Sequence, residues 1–139
     1  MAETKYSKYL LADLSRKPWH PEVISPIANF DGCKEWGETN FGINWECINQ
    51  PFFMIKEPHS HDFVEYLCFM GSNTQDIFDF QAEIELYMGE EKELHLITKP
   101  TIVYLPPNFV HCPMNFKRID KPILFQKIYM ASGYTRDLK

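Results

Sequence analysis

A chain of 139 residues, 45 % hydrophobic and 15 % aromatic with a formal charge of −5, fits one domain built around one core. No Lys/Arg cluster exceeds two adjacent residues, so the field that draws a phosphate backbone or an anionic membrane is missing, and neither nucleic acid nor membrane is an expected partner. No segment approaches the roughly 18 apolar residues of a membrane span, and the opening MAETKYSKYLLADLSRK lacks the apolar run of a signal peptide, so the chain is expected in the cytoplasm.

Tyr6, Tyr9, Leu10 and Leu14 have a spacing that suits a short amphipathic helix docked on the body and ended near Pro18. From Trp19 to Asn40 turn residues dominate, and EVISPIANF is the one strand-like run, expected as an edge strand. After residue 40 the pattern becomes β. FGINWECI, PFFMIK, HDFVEYLCFM, IFDFQAEIELYM, KELHLIT, TIVYL and ILFQKIYM are separated by NQP, GSN, GEE and PPN, which predicts a sandwich or barrel of short strands. The clearest strand is 77–88, where Phe78, Phe80, Ala82, Ile84, Leu86 and Met88 alternate with polar residues and Tyr87. The expected organisation is an extension over 1–40 packed on a barrel over 41–132, with a tail over 133–139.

Cys33, Cys47, Cys68 and Cys112 show neither zinc-ribbon nor CxxC spacing, and free thiols are expected. Cys112 should point away from the face used by its neighbour His111.

The chemistry is concentrated in EPHSHDFVEYLCFMG, residues 57–71. His59, His61 and Glu65 share parity, so a regular strand puts them on one face at about 6.6 Å per two residues, followed by an apolar wall of Phe63, Leu67 and Phe69. Fifty residues on, YLPPNFVHCPMN makes a sharp turn in which Asn108 tolerates a left-handed conformation, and His111 follows it. Alone, an HxH pair is more often two strand-end residues than two ligands. His95, between Leu94 and Leu96, should point away from the core, and His20 sits in the WHP loop; both are left out of the site.

Over roughly residues 53–115 these stretches resemble the cupins, whose two motifs read G-x5-H-x-H-x3,4-E-x6-G and G-x5-P-x-G-x2-H-x3-N. His59, His61 and Glu65 stand at the ligand positions of the first, and Pro106, His111 and Asn115 at the Pro, His and Asn of the second. Phe53 and Pro100 replace the leading glycines, Gly71 arrives one position early and Asn108 stands at the turn glycine. The resemblance implies an all-β double-stranded β-helix (jelly-roll) with a short N-terminal helical or irregular extension. It implies His59, His61, Glu65 and His111 as ligands of one divalent transition metal, Fe, Mn, Ni or Zn, and a homodimer to which EVISPIANF contributes a strand.

Lys56, three residues before His59, Tyr104, on the strand entering the second motif, and Gln126 or Lys127, on a late strand, are the candidates for substrate contact or proton transfer. The functional expectation is a metal-dependent enzyme of dioxygenase, lyase or isomerase type acting on a small oxygen-rich molecule. The alternative is a non-catalytic cupin that holds a metal or small ligand.

Overall fold

Strand alternation in the sequence becomes two facing antiparallel sheets in a computed structural model, which describes residues 4–32, 36–134 and 137–138. The strands are β1 (Ser15–Arg16), β2 (Ile27–Asp31), β3 (Gly42–Ile48), β4 (Phe52–Ile55), β5 (His59–Ser60) and β6 (Glu65–Gly71). They continue as β7 (Ala82–Met88), β8 (Glu93–Ile97), β9 (Thr101–Leu105), β10 (His111–Ile119), β11 (Ile123–Tyr129) and β12 (Asp137–Leu138). One sheet runs β1-β2-β3-β11-β6-β9; the other runs β12-β5-β10-β7-β8, with β4 also paired to β10.

The core lies between the sheets. β11 buries Ile123, Phe125, Lys127 and Tyr129 and turns Leu124, Gln126 and Ile128 to the other side, the period-two signature of a strand with one face inward. Phe125 stacks on Phe69 at 5.0 Å and meets Phe116 of the opposite sheet edge-on at 5.7 Å. This ring cluster, with Ile84 and Leu86 fully buried beside it, locks the sheets face to face.

Four expectations are corrected. The N-terminal helix shrinks to a 3-10 turn over Ser7–Tyr9, and Tyr6, Tyr9 and Leu10 are exposed; with no apolar surface beneath, a short helix has nothing to stabilise it. β2 is no edge strand, because β1 covers one side of it while the other pairs with β3. The strand expected over 77–88 begins only at Ala82, and Phe78 is 71 % exposed. Asp76 accepts from the Phe78 N–H and Asn73 from the Gln75 N–H, side-chain turns that compete with a ladder. Finally β10, which pairs with three other strands, was not expected: Pro113 inside it argues against a central strand, and the register shifts between His111 and Met114 absorb it.

That shift also breaks the parity argument for Cys112, which is buried in the core cluster at a φ of 78°. Cys47 is exposed, Cys68 is buried, and neither these nor Cys112 forms a disulfide; Cys33 lies outside the described residues. Among the described residues no helix is long and apolar enough to cross a membrane.

Candidate metal centre

The two sequence stretches meet through backbone pairing. His59 on β5 stands opposite His111 on β10, and the N–H of Asn108, at a φ of 63°, donates to the carbonyl of His61 at 2.6 Å. The left-handed turn that Asn108 permits therefore ties the second motif to the first.

His59, His61 and His111 each offer a ring nitrogen, all within 4.8 Å of one another, and all three are buried. The His59 and His111 rings are 4.5 Å apart. Nδ1 of His59 lies 3.2 Å from the Glu57 carbonyl and Nδ1 of His111 lies 3.0 Å from the Phe109 carbonyl. A carbonyl only accepts, so each Nδ1 carries a proton, which leaves Nε2 as the nitrogen that ligates an ion when bare or donates to Glu65 when it too carries a proton. A second-row carbonyl that sets the tautomer in this way is the usual support for a metal-binding imidazole.

Glu65, at the start of β6 and 1 % exposed, places Oε1 3.4 Å from His111 Nε2 and 3.2 Å from His61 Nε2. Two lone pairs cannot face one another in a dry site without a proton or a cation between them. The three imidazoles form a donor set that fits a divalent transition ion, and Glu65 stands against two of them. Burial works against ionising Glu65, but the imidazoles of His111 and His61, and then the charge of Lys127, outweigh it and hold the carboxyl down at about 2.

Phe63 stacks on His61 at 4.8 Å, and with Leu67 and Phe69 it forms the buried apolar wall anticipated along this face. Next to both rings stands Tyr134, whose hydroxyl is 3.1 Å from His61 Nε2 and whose ring packs edge-on against Tyr129 at 5.2 Å. Tyr134 also lines a cavity of about 560 Å³ together with Lys127, Met54, Ile55 and, from the N-terminal segment, Trp19. The cavity and the histidine cluster are thus neighbours that share Tyr134 as their partition.

Lys56 lies at the rim of this cavity and is exposed. Tyr104 is 54 % exposed and packs on Tyr66 on the outer face of its sheet, so it does not reach the site. Gln126 also belongs to the outer face; the inward residue of that pair is Lys127, 7 % exposed. His95 is exposed and stands opposite the buried Leu86, while Leu94 and Leu96 are exposed too. Its place outside the site agrees with expectation, but the reason given for it does not. His20 lines the cavity without joining the cluster.

Sequence reasoning missed Tyr134, Asn44 and Glu46. On β3 the inward residues are Gly42, Asn44, Glu46 and Ile48, so the polar side chains of FGINWECI point into the barrel. Asn44 accepts from Asn29, which also donates to the Tyr129 hydroxyl at 3.3 Å; that hydroxyl donates to Asp31. Burial, then Asp31, pushes the Tyr129 phenol up. Burial likewise raises the Glu46 carboxyl, with Lys127 opposing. Asn44 and Glu46 share the phase of Lys127 across the β3–β11 pair, and that shared phase was the available signal for a polar interior.

No family model matches the chain, and no curated protein matches it by sequence. Solved structures do. An oxalate oxidase in complex with the substrate analogue glycolate is 13 % identical with a TM-score of 0.60, over 98 % of this chain and 66 % of that one. An uncharacterized conserved protein with a double-stranded β-helix domain from Klebsiella pneumoniae is 11 % identical with a TM-score of 0.59, over 99 % of this chain and 97 % of that one. The oxalate decarboxylase of Bacillus subtilis, studied for its Mn(II) centres, is 12 % identical with a TM-score of 0.55, over 88 % of this chain but only 30 % of its own. The chain therefore spans less than a third of the decarboxylase and about two thirds of the oxidase. At such identities the likeness establishes architecture, and together with the sheet order it gives the conclusion that this chain adopts the double-stranded β-helix, the fold of the cupins.

Proposed function

We propose that the protein is a metal-dependent enzyme acting on a small oxygen-rich organic molecule, with His59, His61, His111 and Glu65 holding one divalent ion, Fe, Mn, Ni or Zn. The observation that carries this reading is the cluster of three buried imidazoles, two of them against the buried Glu65 carboxylate, beside a cavity of about 560 Å³. When bound, such an ion supplies Lewis acidity toward a carbonyl or carboxylate oxygen, and redox capacity if it is iron or manganese.

The chain's own residues supply the rest. The Glu57 and Phe109 carbonyls orient two of the rings. Phe63, stacked on His61 and buried, covers that ring from water. Tyr134, with its hydroxyl at His61 and its ring in the cavity wall, is placed to hold or pass a proton to a molecule in the cavity. The glycolate complex of the oxidase and the Mn(II) centres of the decarboxylase support this reading by analogy of fold.

The test is a screen of metal-loaded protein for oxygen uptake and substrate loss with small hydroxy and keto acids, enols and diketones. Turnover of at least one class, abolished in His111→Ala, is expected. Stoichiometric metal without turnover of any compound overturns the enzymatic reading.

A further inference from the structure

Lys127 is the buried charge that the metal centre does not use. β11 places it between Asn44 on β3 and Leu67 on β6, 7 % exposed and lining the cavity. Its Nζ stands 4.7 Å over the Tyr134 ring and 5.7 Å over the Trp19 ring. Among the described residues it makes no hydrogen bond and closes no ion pair, although Glu46 and Glu65 feel its charge. Ring faces attract a cation but accept no hydrogen bond from its N–H groups in the manner of an oxygen, so the donors of this cavity-lining ammonium are open to a ligand. A side chain that is buried along its stem with its ammonium at a cavity wall presents that charge to a ligand.

The walls state the rest of the ligand. Trp19, Met54, Ile55 and Tyr134 give apolar surface, and the volume of about 560 Å³ far exceeds what a bare two-carbon acid fills. The exposed Lys56 at the rim adds positive charge and Glu57 opposes it. Inside, Lys127 balances Glu65, and burial disfavours the charged form of Glu46, so a divalent ion leaves the interior positive.

We propose that Lys127 reads the carboxylate of the ligand, and that this ligand is a small monocarboxylate whose apolar body lies against Trp19 and Tyr134. The assignment rests on the enzymatic reading only for the direction in which the body extends toward the metal centre; recognition by Lys127 stands on the cavity alone.

Benzoate and its neutral isostere benzamide are the probes. Each is titrated by calorimetry into metal-loaded and metal-free wild type, Lys127→Met, Lys127→Arg and Lys56→Gln, with thermal unfolding and metal content measured for every protein. Wild type is expected to prefer benzoate by about tenfold or more, the scale of losing one partner of a buried charge pair. Lys127→Met should lose that preference, Lys127→Arg and Lys56→Gln should keep most of it, and metal content should not change. Equal binding of the two probes by wild type, a preference that survives in Lys127→Met, or no saturation by benzoate below about 10 mM overturns the assignment. The wild-type comparison decides even if Lys127→Met fails to fold. A preference intact in a protein that binds no metal supports Lys127 and refutes the metal reading, so the two failures are separable.

Discussion

Replacing Glu65 by Gln removes a buried charge while keeping the shape of the side chain, and its consequences separate the carboxylate's two roles. In the metal-free protein the carboxyl sits at about 2 rather than 4.5, and each unit is about 1.4 kcal/mol. The ionised form therefore stabilises the fold by about 3 kcal/mol at neutral pH, with the cost of burial already inside that figure. The sign follows from a depressed acid: the contribution is fully present above the unfolded value and disappears as pH falls through the folded one. Urea denaturation of metal-free wild type and Glu65→Gln should show wild type the more stable by up to about 3 kcal/mol at pH 7, with the gap closing between about pH 4.5 and 2. A Glu65→Gln protein as stable as wild type at pH 7 without metal would refute the reasoning, since the carboxylate would then gain nothing from His61 and His111.

Two further outcomes follow from the same geometry. Asn108 holds a φ of 63° while its N–H reaches the His61 carbonyl; Asn108→Gly should cost only a few tenths of a kcal/mol, whereas Asn108→Val should cost about 1–3 kcal/mol and weaken metal retention, read by thermal unfolding and metal analysis. Thiol labelling followed by peptide mapping should modify the exposed Cys47 well before the buried Cys68 and Cys112, because burial also pushes the Cys68 thiol up and starves it of thiolate.

The histidine motif was legible because its spacing is local and its partner stretch carries a turn with its own chemistry. What stayed hidden depends on contacts that no local pattern announces. Pro113 disguised β10 by its ordinary meaning in a strand, and only the register shift beside it explains how the ladder tolerates it. Asn44 and Glu46 face inward against the usual polarity of strand alternation, because Lys127 and Asn29 meet them there. Parity along ILFQKIYM separates Lys127 from Gln126, but choosing between them needs to know which face is inward, and Phe125 and Tyr129 settle that by joining the core and the polar end of the barrel. Tyr134 lies in a tail with no periodicity at all; it reaches His61 because the chain returns past β5.

Elemental analysis of the protein purified without added metal, then reloaded and dialysed, shows whether the histidine cluster holds an ion. Wild type is expected to retain about one transition-metal ion per chain and His59→Ala/His111→Ala none, with both proteins folded by circular dichroism. A folded wild type that retains no ion after loading would contradict this expectation.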